Sequence, residues 1–199
     1  CLFYSCSIII PLNDLPKPDG KYTVGTKLFY WEDSSRDEIF TKDIIDTRKI
    51  VVQIWYPAIQ PSDSLYPYMD NPELRLNALS KQIGVPNFLM QHVKDIKGNS
   101  YLNAKPVENK KFPIILFSHG LGGTKTQNSI NIEALVSNGY IVVAPDHTYD
   151  ASVTIFENGD IYDFKSGLPV SELEGQTITE KVFWDTRLPQ INTRANDIK

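Results

Sequence analysis

The stretch "PIILFSHGLGGTKT", residues 113–126, sets a serine, a histidine, a lysine and three glycines directly behind an apolar run. Three chemistries use such residues. A nucleophilic serine on a strained strand-to-helix turn requires G-x-S-x-G, with glycines two before and two after it. Around Ser118 the order is Leu116-Phe117-Ser118-His119-Gly120, so the first glycine is missing. His119 follows directly, and on an extended strand neighbouring side chains point to opposite faces. Ser118 is therefore not read as the nucleophile. A phosphate cradle requires G-x-x-x-x-G-K-[ST]. Lys125-Thr126 matches its end, but Thr124 and His119 stand where the glycines belong. Gly120-Leu121-Gly122 also does not continue to a third glycine with dinucleotide spacing.

The third chemistry fits. A "HG" dipeptide followed by small residues after a core strand builds half of an oxyanion hole. Backbone N–H groups must face the developing alkoxide, and glycine lets a carbonyl approach without a Cβ in the way. On this reading the side chains of "SHGLGG" take no part in the chemistry. The bland alternative is a glycine-rich turn that only joins strand to helix.

The elements around the stretch predict how it is held. "FPIILFS" has the continuous apolar pattern of a strand buried on both faces. "TQNSINIEALVSNG" reads as a helix with Ile130, Ala134 and Leu135 inward and Asn138-Gly139 as its stop. "YIVVAP" is a second buried strand. Strand, helix and strand make a βαβ unit with parallel strands and a right-handed crossover. The expected fold class is therefore α/β, and ligands of such sheets bind beyond the carboxyl ends of the strands, where these glycines fall.

Further upstream, "YTVGTKLFYW" alternates, with Tyr22, Val24, Thr26, Leu28 and Tyr30 on one side of a strand. "DSSRDEIFT" reads as a turn with ion pairs, and "RKIVVQIWYP" as a strand closed by Pro57. Residues 60–111 lose strand character. "NPELRLNALSKQIG" opens with Asn71 before Pro72, a helix start, and sets Leu76, Leu79 and Ile83 near one face. "PNFLMQHVKDIKG" reads as a second amphipathic helix with Phe88, Leu89, Val93 and Ile96. The two form a helical insertion at about 62–105, serving as a lid or as surface cover.

The bulk properties frame these readings. At 199 residues, 41% hydrophobic and 22% charged, the chain is an ordinary globular sequence. One domain of this size buries roughly 70% of its unfolded surface. The net charge of -4 gives no basic footprint, so nucleic acid is not an expected partner. The chain begins at Cys1, and "LFYSCSIII" resembles the tail of an export signal. Residues 1–14 are thus read as a signal remnant or N-terminal extension, with an extracytoplasmic location. Ser5-Cys6 fits a relaxed lipoprotein cleavage site, which would make Cys6 a lipid anchor. Two cysteines make no disulfide framework.

The chain resembles the platelet-activating-factor acetylhydrolase family, within the α/β-hydrolases. "KYTVGTKLFYWEDSSRDEIFT", "VVQIWYPA", "PIILFSHGLGGTKTQNS", "LVSNGYIVVAPDHTYDAS" and "IFENGDIYDF" occur in that family's order over residues 15–199. The resemblance implies an α/β-hydrolase domain with a mostly parallel sheet and flanking helices. It also implies a serine hydrolase that cleaves short or oxidised acyl esters of phospholipids. Neither a cofactor nor calcium is implied, and a phospholipid substrate implies association with a membrane surface. The family's oxyanion donor falls on Leu121, through its backbone N–H, with Gly120 in the same loop. "WDTRLPQINTRANDIK" resembles the helix that precedes the nucleophile strand. No G-x-S-x-G occurs in the 199 residues, so the nucleophile and both triad partners are expected past Lys199, and residues 15–199 are expected to be the N-terminal part of the domain.

Of the three histidines, His92 lies in the insertion and His119 in the turn. Asp146-His147 at a strand end suggests part of a triad, but this fold orders its triad Ser, Asp, His, all after the elbow. His147 is read as structural or pocket-lining, and "DHTYD" offers too few ligands for a metal. The alternatives kept beside this function are another α/β-hydrolase esterase, of polyester or dienelactone type, and a non-catalytic lipid- or partner-binding module.

Overall fold

The computed structural model describes residues 15–43, 45–167 and 179–199. The export-signal and Cys6 expectations fall on residues 1–14, outside the described residues. Six strands form one sheet in the order β3-β4-β1-β2-β6-β5. In chain order these are β1 (Thr23–Asp37), β2 (Thr47–Ala58), β3 (Leu65–Pro67), β4 (Lys97–Leu102), β5 (Ile114–Leu116) and β6 (Ile141–Asp146). Among the described residues, three α-helices accompany them: α1 (Pro72–Ile83), α2 (Ser129–Ser137) and α3 (Glu180–Asp197). A separate hairpin joins β7 (Val153–Ile155) to β8 (Ile161–Asp163).

The βαβ unit has the predicted form: β5 and β6 pair in parallel, joined through α2. Asn138 caps α2, and Gly139 follows at φ 96°, the left-handed turn that glycine takes without strain. The rest of the sheet is mixed rather than mostly parallel. β1 pairs antiparallel with β2, as does β2 with β6, while β4 joins β1 in parallel. Only short chain segments link β1 to β2, and a parallel pairing needs a crossover of a dozen residues or more.

β2 is the central strand, with Val51, Val52, Gln53 and Trp55 all buried. Trp55, Val24, Val142 and Ala144 form a core with Ile132 and Val136 of α2, against which Ile115 and Phe117 pack. The inward face of α2 thus differs from the predicted one. Ile132, Glu133, Val136 and Ser137 are buried, and Ile130 and Leu135 are exposed. A polar anchor sets that rotation, because Glu133 accepts from Ser100 Oγ at 2.6 Å and from Asn99 N at 2.8 Å on β4.

Four further expectations are corrected. "DSSRD" is not a turn: β1 continues through Asp37, with Arg36 Nε 2.7 Å from Asp33, and the chain reverses only at 38–46. Residues 60–111 do keep strand character, since β3 and β4 stitch both ends of the insertion to the sheet. The second predicted helix is instead two 3₁₀ turns, Asn87–Leu89 and Gln91–Asp95, with Phe88 and Leu89 exposed and Ile96 buried. Its apolar residues suit a helical face, but the run is too short to repay helix nucleation without a packed stripe. Finally, β5 lies at a sheet edge among the described residues, so Ile114 and Leu116 are open although their pattern suits a strand covered on both faces.

Candidate active site

β5 ends at Leu116 and its direction persists one residue further, where Phe117 N donates to Val143 O at 2.9 Å. The chain then turns through Ser118-His119-Gly120-Leu121-Gly122-Gly123, beyond the carboxyl ends of β5 and β6. Three of this turn's six amides are committed. Gly120 N donates to Gln127 Oε1 at 3.1 Å, Gly122 N to Asp150 O at 2.9 Å and Gly123 N to Gly120 O at 2.8 Å. Among the described residues, the N–H groups of Ser118, His119 and Leu121 have no hydrogen-bond partner, and of the three only Leu121 lies against the cavity described below. An unpaired amide at this end of a parallel strand pair is the donor an oxyanion requires.

The glycines of the turn divide by cause. Gly122 takes φ 69°, and a Cβ there would meet the Gln82 amide at 1.8 Å. At Gly120 a Cβ would find only Gln127 at 3.8 Å, an ordinary contact. The protein's own packing therefore leaves space at Gly120, on the peptide next to the free N–H.

Behind the turn lies a polar network that brings together residues far apart in sequence. Ser118 Oγ is 2.8 Å from His147 Nε2, and His147 Nδ1 is 2.8 Å from Asp197 Oδ2 at the end of α3. A carboxylate at Nδ1 makes that nitrogen the donor, so Nε2 accepts the Ser118 proton. Ser118 Oγ in turn accepts from Arg194 Nη2 at 2.9 Å, and the same guanidinium nitrogen donates to the His119 carbonyl. Arg194 Nη1 also lies 2.7 Å from Asp150 Oδ2, a charge contact outside hydrogen-bond angles. Arg48 grips Asp197 at 2.6 Å and Glu38 at 2.8 Å, and both its partners have buried side chains. Burial alone would raise the Asp197 carboxyl, but the His147 and Arg48 hydrogen bonds outweigh it and hold the group well below the usual carboxylate range.

His119 is buried and joined to the same region. Its Nδ1 is 2.7 Å from Gly120 O, and its Nε2 accepts from His147 N at 3.2 Å. Burial lowers its pKa.

A second ionic group anchors the insertion. Arg75 of α1 donates to both oxygens of Asp70, at 2.9 and 3.0 Å, and to Asp146 Oδ2 at 2.8 Å. Lys125 Nζ reaches Asp70 at 3.0 Å and Asp146 at 3.1 Å, while its backbone N donates to Asp146 Oδ1 at 2.6 Å. Two cations thus face two carboxylates. Desolvation would raise Asp70, but Lys125 and Arg75 together depress it far below the normal range, and Asp146 is lowered in the same way. Between α1 and the turn a cavity of about 350 Å³ opens, with Tyr68, Met69, Leu79, Ile83 and Leu121 among its walls.

Several readings can now be compared with this geometry. Gly120 and Leu121 lie together on the turn, beside that cavity. His92 lies apart on a 3₁₀ turn of the insertion. Asp146 and His147 are adjacent in sequence but serve different networks, and the carboxylate that meets His147 is Asp197. Lys125 cannot serve a phosphate, since its ammonium is buried on two carboxylates. Asp197, Arg194 and Arg48 went unnoticed in the sequence, where single charged residues on separate elements carry no spacing signal.

Comparison with known proteins decides the family. The family model described as "Platelet-activating factor acetylhydrolase, isoform II" matches residues 8–199. The chain belongs to that family. A platelet-activating factor acetylhydrolase of Cavia porcellus is 29% identical over 164 residues, 77% of this chain and 33% of the relative. A probable 1-alkyl-2-acetylglycerophosphocholine esterase of Arthroderma benhamiae is also 29% identical, over 74% of this chain and 40% of its own length. The chain therefore spans about a third of the length of the curated family members it matches. A solved structure, a ferulic acid esterase from Streptomyces cinnamoneus, superposes with a TM-score of 0.62 at 24% identity. It covers 82% of this chain and 46% of that one, and the likeness supports the α/β-hydrolase fold.

Proposed function

We propose that the chain is the oxyanion-bearing part of a serine ester hydrolase of the phospholipid acetylhydrolase type. The observation that carries this reading is the free Leu121 N–H beside an uncrowded Gly120. The substrate carbonyl oxygen sits against that N–H, and the short acyl group occupies the cavity walled by Met69, Leu79 and Ile83. A serine on a G-x-S-x-G elbow, encoded past Lys199, attacks the carbonyl carbon. The alkoxide that forms is held by Leu121 N–H and by the amide following that serine. The acyl-enzyme is then released by water. Family membership supports this assignment, and its relatives, a platelet-activating factor acetylhydrolase and a probable 1-alkyl-2-acetylglycerophosphocholine esterase, suggest its substrate class. An extracytoplasmic, membrane-surface setting belongs to the same reading and rests on "LFYSCSIII" and the lipid substrate.

Ser118 is not the attacking group in this scheme, although its links to His147 and Asp197 repeat the connectivity of a hydrolytic triad. It follows a regular strand with no glycine two positions before it, and the Arg194 guanidinium occupies its oxygen. A serine-directed fluorophosphonate provides the test. Residues 1–199 should remain unlabelled and should not hydrolyse p-nitrophenyl acetate above buffer. A polypeptide extended by the coding sequence past Lys199 should be labelled at the elbow serine and should prefer acetyl over palmitoyl esters. Stoichiometric labelling of Ser118 would overturn the scheme.

A further inference from the structure

We propose that His119 is the positioning residue of the oxyanion donor, acting through the carbonyl of Gly120; this rests on the assignment of Leu121 N–H to the oxyanion. The Gly120 C=O and the Leu121 N–H belong to one planar trans peptide, so fixing the oxygen fixes the direction of the N–H. Two donors hold it: Gly123 N within the turn, at 2.8 Å, and the His119 ring, whose Nδ1 is 2.7 Å from Gly120 O. A carbonyl only accepts, so Nδ1 carries the proton. The other ring nitrogen faces the His147 N–H at 3.2 Å and must accept from it. Both bonds require the same neutral tautomer, and a protonated ring would set N–H against N–H.

The ring is itself held on all sides. His119 is 1% exposed. The carbonyl of its own peptide accepts from Arg194, and the His147 that donates to it is tied to Asp197 through its side chain. α3 thereby braces the turn from one side, and the 147–152 segment braces it from the other through Gly122 N and Ser152 N. Against that frame the Leu121 N–H is left without a partner among the described residues. The electrostatic advantage of such a donor lies in its being oriented before charge develops. Sequence spacing alone does not reveal this role for His119.

Two substitutions separate the role from mere filling of space. Asparagine reproduces the Nδ1 donor, and glutamine reproduces the Nε2 end. In the extended, active polypeptide His119→Asn should keep kcat within about threefold. His119→Gln should lose tenfold or more in kcat with KM little changed, because the bond to the oxyanion strengthens in the transition state. Near-normal turnover in His119→Gln, or a loss in His119→Asn as large as in His119→Gln, would overturn the proposal. A readout independent of hydrolysis is ¹⁵N NMR of residues 1–199 carrying Leu116→Lys, a change at the exposed edge strand that leaves His119 and its partners in place. The His119 ring should show a protonated Nδ1, an unprotonated Nε2 and no titration near pH 6.5. The opposite tautomer would sink the proposal even if the esterase assignment stood. An inactive extended polypeptide with the expected tautomer would instead fault the assignment and leave the ring geometry intact.

Discussion

At the residue scale, the oxyanion role proposed for the Leu121 amide predicts an unusual mutational signature, since on that proposal the backbone and not the side chain acts. Leu121→Ala keeps the N–H and should change turnover of the active polypeptide only slightly. Leu121→Pro deletes the donor and should cost about 10²–10³ in kcat, as removal of one oxyanion donor does. Proline also fixes φ, so equal melting temperatures must accompany the comparison. Gly120→Val supplies the cross-check, because a Cβ there meets only Gln127, at 3.8 Å, while the added branches would crowd an approaching carbonyl without deleting an N–H. Near-normal kcat in a folded Leu121→Pro enzyme would reduce the stretch to a turn.

At the element scale, the ionic group around Asp146 determines what α1 can do. Arg75 ties the helix to Asp70 and Asp146, and Lys125 ties the same carboxylates to the segment just after the oxyanion turn. These ion pairs predict that the insertion is a fixed wall of the cavity and not a hinged lid. Breaking the group should show this. Lys125→Met leaves two buried carboxylates facing a single guanidinium, and removal of one partner from a buried network costs about 3–5 kcal/mol. Urea unfolding should register that loss, and amide exchange in Pro72–Ile83 should accelerate more than in β2. Unchanged stability would mean that α1 is held by its apolar contacts alone.

At the scale of the whole molecule, acid and the open sheet edge govern behaviour. His119 has a depressed folded pKa, so below its ordinary value of about 6.5 the unfolded chain binds a proton that the folded chain refuses. Stability should begin to fall there. Asp70, Asp146 and Asp197 are also depressed. Their contribution is complete above the ordinary Asp value of about 3.9 and drains away as pH falls from there toward the folded values. Urea titrations at pH 7.5, 5.5 and 3 should show both stages, and His119→Gln should remove the upper one. The β5 edge is the second feature. Ile114 is 64% exposed and Leu116 53%, beside unpaired strand groups. Residues 1–199 should therefore self-associate and bind a hydrophobic dye, and Leu116→Lys should suppress both effects. A monomeric chain that ignores the dye would contradict this.

What the sequence determined by itself were features encoded locally. The period of "FPIILFS" and "YIVVAP", the glycine stop at Gly139 and the "SHGLGG" turn gave the βαβ unit and placed a donor at its carboxyl end. Alternation within "YTVGTKLFYW" marked β1, and Asn71-Pro72 marked the start of α1. Other features depended on partners far along the chain, and periodicity is blind to those. Glu133 rotates α2 because it finds Ser100, and β5 is open because, among the described residues, only β6 pairs with it. His147 meets Asp197, 50 residues away, rather than its neighbour Asp146. The site shows the same division. Glycine content marked the turn proposed to hold the oxyanion, because backbone freedom is written in residue type. The orientation of that turn by His119, Arg194 and α3 arises only when separate elements converge, because a hydrogen bond depends on distance and angle in space.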